Sequence, residues 1–347
     1  MKKVIKAPAK VNLCLRVDSK RDDEYHNLAM IMQKISLYDT IEFEIISEND
    51  FDFFKLLPKI EIPIKFDDLP KIELPIKFAD LPKIDFDFIN KFFKKKFDYA
   101  SDKQINIQSN YNYIPTDEKN LVYKVIDYIF KKYDINDKIY VYLKKMIPTS
   151  GGLGGGSSDA AAMLMFLNKH YNLNLSIDDM TDIALKFGSD IPFFLHKKVS
   201  ICKGRGEKIE ELKPFNNYYI LLATPNVRVS TKEIYTKFDM FEISDERKQE
   251  ENIKFENVVN SIENRDIKGL AENVFNDLEI VTEPMFQQVS NFKSKMMNQG
   301  AIKSLMSGSG PTVFGIFDSY FKANNCKNAL KKEYPSSFIF ISKPIAY

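Results

Sequence analysis

Thirteen consecutive residues, Pro148-Thr149-Ser150-Gly151-Gly152-Leu153-Gly154-Gly155-Gly156-Ser157-Ser158-Asp159-Ala160, constrain this chain more than any other segment. Five glycines stand between Lys138–Lys144, whose branched and aromatic residues predict a strand, and Ser157–Tyr171, whose composition predicts a helix. A backbone without Cβ atoms can turn successive N–H groups inward around an anion. The helix start adds unpaired N–H groups and the positive end of its dipole. The pattern therefore predicts a phosphate cradle at a helix N-terminus. A flexible linker would have no reason to run straight into a Ser-Ser-Asp-Ala-Ala-Ala helix start. It is not the common nucleotide loop, because Ser157 stands where a lysine would follow the last glycine, and the spacing of a dinucleotide fingerprint fails as well.

Composition narrows what such a cradle can serve. A chain of 347 residues suits two domains, and 44% apolar with 28% charged residues describes a globular protein with a substantial core. Lys+Arg (50) and Asp+Glu (48) nearly cancel, so no electrostatic footprint points to nucleic acid or to an anionic membrane. A small molecule is the expected partner. Cys14, Cys202 and Cys326 lie far apart and outside any C-x-x-C spacing, which argues against a disulfide framework or a zinc site and for a reduced cytoplasmic setting. Lys6, Lys10 and Arg16 interrupt the apolar stretches near the start before a leader could form, and no run approaches the ~20 apolar residues that span a bilayer.

Along the chain, Lys3–Val17 predicts a strand with Pro8 at an edge or bulge, since proline cannot donate to a ladder. Alternation then puts Lys10, Asn12 and Cys14 on one face and Val11, Leu13 and Leu15 on the other. Leu28–Leu37 and Thr40–Ile46 predict two strands separated by a turn at Tyr38-Asp39. From Leu57 a repeat with a period of twelve residues runs LPKIEIPIKFDD, LPKIELPIKFAD, LPKIDFDF, and its prolines predict edge hairpins or a loop. Helices are predicted at Glu118–Tyr133, Asp178–Phe187, Thr231–Phe238, Ile253–Ile262 and Met285–Met297. Strands are predicted around Val199–Leu212 and at Tyr218–Ala223, Ala301–Met306 and Thr312–Phe317. Helices and strands interleave without a regular βαβ array, so the fold class is α+β.

Three segments in this order, Pro8-Ala9-Lys10-Val11-Asn12-Leu13, Pro148 to Ala160, and Ser307-Gly308-Ser309-Gly310-Pro311-Thr312, resemble the three motifs of the GHMP kinases. Tyr25-His26, the triple glycine Gly154-Gly155-Gly156, and Phe187-Gly188-Ser189-Asp190-Ile191-Pro192-Phe193 carry the likeness to members acting on a diphosphocytidyl methylerythritol. The likeness spans nearly the whole chain outside the repeat. It implies a two-domain fold, with an N-terminal ribosomal-protein-like α/β domain over 1–212, a C-terminal ferredoxin-like domain over 213–347, and the active site in the cleft. The repeat enlarges a family connection over about 51–98.

The same resemblance implies ATP and Mg2+ as cofactors and assigns the site. Lys10 and Asp190 are its catalytic pair. Pro148, Gly151, Gly152, Leu153, Gly154, Gly155, Gly156, Ser157 and Ser158 hold the nucleotide, with Asn120 toward its adenine end. Asn12, Tyr25, His26 and Tyr235 hold the acceptor, the rings around its cytosine. Ser157 or Ser158 could approach the metal, and no firm metal ligand follows. The alternatives are another GHMP kinase, of the homoserine or mevalonate type, which keeps the loop but lacks a cytidine pocket, and a non-catalytic metabolite sensor on the same fold, which binds without turnover. A homodimer is left open. One departure stands out: the family has Asp-Gly before Tyr-His, whereas this chain has Asp23-Glu24, at a turn where positive φ is at issue.

Overall fold

The computed structural model describes residues 3–47, 103–196 and 198–345. The twelve-residue repeat falls outside the described residues.

Two long strands, β1 (Lys3–Lys20) and β2 (His26–Ile46), pair antiparallel from Lys3↔Phe43 to Lys20↔His26. They are flanked by β3 (Ile105–Ser109), β4 (Lys138–Lys144), β5 (Val199–Gly204) and β6 (Lys208–Glu211). Where a turn was expected at Tyr38-Asp39, β2 runs on without a break. The ladder instead shifts from Pro8↔Tyr38 to Ala9↔Ile35, which places Pro8 at an irregularity as its missing N–H requires. Asp39 forms no turn because its carboxylate is engaged elsewhere, accepting from the Met146 and Ile147 backbones.

A second shift, between Asn12 and Cys14, corrects the expected alternation. The extra residue turns Cys14 into the cluster that holds Val11 and Leu13, and sends Leu15 into the other. Lys10 and Asn12 lie ahead of the bulge and keep their common face.

One face of this sheet is covered by α1 (Leu121–Lys132), α2 (Gly155–His170), α3 (Ile177–Leu185) and α4 (Ile191–Leu195), through Val125, Ile129, Leu164 and Phe193 among others. The opposite face meets a second, antiparallel sheet in the order β11 (Phe338–Ser342), β7 (Tyr219–Thr224), β10 (Val313–Phe317), β9 (Lys303–Met306). Ile220, Leu222, Phe314 and Ile316 share a core with Ala9, Val11 and Ile31. The alternate residues Leu221, Val313 and Phe317 face the outer helices, so these strands are apolar on both sides and read as unbroken hydrophobic runs.

Around that second sheet lie α5 (Thr231–Phe238), α6 (Asp245–Asn264), α7 (Ile267–Asn273), α8 (Glu279–Met285), α9 (Gln287–Asn298) and α10 (Tyr320–Glu333). The helix predicted at Met285–Met297 is α9, and a separate helix, α8, ends just before it at Met285, close after Pro284. The one predicted at Ile253–Ile262 is the second half of a 20-residue helix capped by Ser244. The two halves of the chain interlock: β8 (Phe275–Asn276) pairs parallel with Cys14 and Leu15 of β1, and Pro344 bridges to Ile35 of β2.

Candidate active site

The glycine run leaves β4 and enters α2 with left-handed residues at every second position: Ser150 at φ 53°, Gly152 at 73° and Gly154 at 70°. Alternating handedness curls successive N–H groups into a concave nest. Gly154 is the N-cap of α2 and makes no side-chain cap bond, so the first-turn N–H groups are left for a ligand.

Close approach makes Gly152 and Gly154 obligatory. A Cβ on Gly152 would fall 2.0 Å from the Ser307 carbonyl oxygen, and one on Gly154 would fall 2.8 Å from the Phe194 ring. The three motifs meet through main chain and the Ser307 hydroxyl. Lys10 N donates to Leu153 O at 3.0 Å, Ser307 Oγ donates to Gly152 O at 2.9 Å, and Asn12 N donates to Ser307 Oγ at 3.3 Å. The bulge after Asn12 is what frees that strand from its ladder here.

Two adjoining cavities open from this junction. The smaller, about 360 Å³, is lined by the glycine loop together with Ile114, Pro115, Asn120 and Pro148. The larger, about 840 Å³, is lined by Lys10, Asn12, Tyr25, His26, Arg205 and Tyr235 among others. Asp190 and Ser157 border both. The Lys10 Nζ, on a buried side chain, donates to Asn12 Oδ1 at 2.6 Å and stands 3.6 Å from Asp190 Oδ2. Asp190 is the N-cap of α4, yet its carboxylate makes no capping bond. It faces the cavities with Lys10 as its ion partner.

Asn120 both caps α1, accepting from Val122 N at 2.9 Å, and borders the smaller cavity. Ser157 reaches the cavities, whereas Ser158 is buried with its Oγ unpartnered and Leu153 contributes main chain only, its side chain being in the core.

The aromatic residues Tyr25, His26 and Tyr235 converge on the larger cavity. His26 stacks on Tyr235 at 4.9 Å and 28°, and its Nε2 lies 2.6 Å from Asp239 Oδ1. Burial alone would raise the Asp239 carboxyl, but the hydrogen bonds from Lys20 and His26 carry it below its ordinary value. Tyr25 is half exposed, and the Arg205 guanidinium covers one face of its ring at 3.9 Å. Glu24 supplies the left-handed turn that glycine would adopt freely, at φ 64°.

Beneath the loop lies a group that sequence reading missed. Lys145 is buried between Asp39 and Asp159, pairing with Asp39 and reaching Asp159 Oδ2 at 2.5 Å. Asp39 also accepts from Met146 and Ile147 N, which fixes the chain just before Pro148. Burial, opposed by Lys145 and reinforced by Asp39, pushes the Asp159 carboxyl up to about 7. Burial works against the charge on Lys145 too, yet Asp159 and Asp39 hold it above its ordinary value. The only sequence signal was the acid inside Ser-Ser-Asp-Ala, since 106 residues separate Asp39 from Lys145.

The donors fit a nucleotide triphosphate: a nest, an open helix start, and Lys10 beside them. Ser157 and Asp190, which border both cavities, carry side-chain oxygens of the kind a divalent cation takes, and the described residues contain no group of three or more His, Cys, Asp or Glu able to hold a metal.

Residues 120–198 match the GHMP kinase N-terminal domain, and residues 258–336 match the GHMP kinase C-terminal domain. A 4-diphosphocytidyl-2-C-methyl-D-erythritol kinase of Clostridium botulinum (strain Eklund 17B / Type B) is 35% identical over 335 residues, covering 96% of this chain and 98% of its own. The chain belongs to the GHMP kinases. Its fold agrees with two solved GHMP kinase structures. A 4-(cytidine 5'-diphospho)-2C-methyl-D-erythritol kinase superposes with a TM-score of 0.68 at 22% identity, covering 99% of this chain and 100% of that one. A homoserine kinase from Cytophaga hutchinsonii gives 0.66 at 15%, covering 99% and 95%. At those identities the likeness speaks for the fold, which this GHMP kinase shares with enzymes of different acceptors.

Proposed function

We propose that this GHMP kinase transfers the γ-phosphoryl group of ATP to the 2-hydroxyl of 4-diphosphocytidyl-2-C-methyl-D-erythritol, a step in non-mevalonate isoprenoid precursor synthesis, in the cytoplasm. The observation that carries the reading is the Lys10–Asp190 pair, 3.6 Å apart at the junction of two cavities of unequal size. In this reading residues 1–212 form the ATP-binding and catalytic domain and residues 213–347 the domain that completes the cleft. The smaller cavity takes the nucleotide and the larger one the acceptor. Full-length likeness to the clostridial kinase supports that choice of acceptor.

Phosphoryl transfer asks the protein for alignment and charge neutralisation more than for a strong base. MgATP, when bound, supplies the electrophilic γ-phosphorus and the metal charge that offsets its oxygens. Ser157 would offer its side-chain oxygen to the metal, and the nest from Ser150 to Gly154 would hold the phosphates. Asp190 accepts the proton of the acceptor hydroxyl as its oxygen bonds to phosphorus and the bond from phosphorus to the β-phosphate oxygen breaks. Lys10, held by Asn12, keeps its ammonium against the oxygens that gain charge in that step. Tyr25, His26 and Tyr235 form the wall that takes the cytosine, with Arg205 beside it.

An ADP-release assay tests this with diphosphocytidyl methylerythritol, homoserine and mevalonate offered separately. Turnover is expected with the first alone. Asp190→Asn should lower kcat by about a hundredfold or more while ATP affinity is kept, as for a group acting in the transition state. Wild-type turnover in that variant, or equal turnover of homoserine, ends the assignment.

A further inference from the structure

We infer that Lys34 is a positioning residue for phosphoryl transfer: it anchors the far end of α4 and thereby sets where Asp190 stands relative to Lys10. Lys34 lies directly opposite Lys10 in the β1–β2 ladder, so both side chains leave the same face of the sheet. α4 crosses above them. Lys10 meets Asp190 at its N-terminus, and Lys34 Nζ donates to Phe194 O at 2.9 Å and His196 O at 2.5 Å at its C-terminus.

A helix of five residues has almost no internal hydrogen bonding to hold it, so its ends must be fixed from outside. The Lys34 ammonium also lies over the rings of Phe193 and Phe194, at 5.6 and 5.8 Å. Phe194 is the ring that a Cβ on Gly154 would strike, so any slide of α4 presses on the phosphate loop. Lys34 is thus a buried cation spent on two carbonyls of the one helix that carries Asp190.

Its surroundings make the anchor sensitive to pH. Burial brings the Lys34 ammonium down to about 8, with Glu211 on β6 acting in the opposite direction. Lys10 faces it across the ladder, and His196, itself 3.6 Å from Glu211, follows α4. Above pH 8 the ammonium loses its proton and the carbonyls lose their charged donor.

This rests on the role proposed for Asp190, and the test separates the two. Steady-state kinetics are measured for wild type, Lys34→Met, Lys34→Arg and Asp190→Asn between pH 6.5 and 9.5. Lys34→Met keeps the length and loses the charge; it should lose about tenfold to a hundredfold in kcat, the scale of an ångström misplacement, with KM for ATP within about twofold. Lys34→Arg stays charged at every pH used, so it should recover most of kcat and lack the decline that wild type shows near pH 8. Should Lys34→Met fail to fold, the arginine variant alone decides through that pH profile. Wild-type kcat in Lys34→Met, or an alkaline decline unchanged in Lys34→Arg, overturns the inference. If Asp190→Asn is inactive in the same series, the proposed reaction stands without it.

Discussion

Two alanine substitutions four residues apart in the glycine run should behave in opposite ways. Gly152→Ala places a methyl 2.0 Å from Ser307 O and 2.9 Å from Ser307 C, both main-chain atoms, at a residue whose φ is 73°. The left-handed conformation costs alanine about 1–2 kcal/mol. Displacing the packed backbone of the Ser307 loop adds about 1–3 kcal/mol. Loss of the Ser307 Oγ to Gly152 O bond contributes about 1 kcal/mol more, for a sum on the order of 3–6 kcal/mol. Gly156→Ala meets only Leu121 Cδ1, at 3.7 Å, and lies in the first turn of α2 without positive φ. Alanine there should stabilise by about 0.5–1 kcal/mol. Urea unfolding reads the stabilities, and ATP titration reads the loop, where Gly152→Ala should weaken binding at least tenfold. Equal unfolding midpoints and equal ATP affinity for the two variants would refute the claim that the first and last glycine loops are locked backbone to backbone.

Glu24→Gly should stabilise the fold by about 1 kcal/mol, because φ 64° strains glutamate and not glycine; a lowered urea midpoint would contradict this. Asp159 gives a pH signature. Its carboxyl is pushed from 3.8 up to about 7, so between those values the folded state holds a proton that the unfolded chain has released. Stability should therefore fall as pH rises through that window. Asp159→Asn removes this contribution while leaving Lys145 paired with Asp39, and its melting temperature should decline less than that of wild type from pH 4 to 7. Asp277, pushed up to about 7 by burial and by Glu251, keeps part of the slope. Parallel profiles for variant and wild type would show that Asp159 is not the proton holder.

The glycine loop and the helix that follows it were legible because their requirements are local. Glycines that allow left-handed backbone and a helix that starts at once are written in thirteen adjacent residues. Strands β4, β7 and β10 and helices α1 and α5 were legible for the same reason, through period and capping within one segment. Short or polar elements were not. α10 buries only Ala323, Cys326 and Leu330, and β8 spans two residues that are a strand only because β1 passes beside them.

By itself the sequence determined the α+β class, the order of the motifs and, through its likeness to a family, which lysine and aspartate to watch. Tertiary structure decided what those residues touch. The bulge at Asn12 that turns Cys14 away, the stacking of His26 on Tyr235, the burial of Lys145 between two aspartates, and the seating of Lys34 under α4 all join residues far apart in the chain. No local pattern encodes them. A buried charge or a shifted register depends on what packs against it from elsewhere, and that is settled only when the two sheets close on each other.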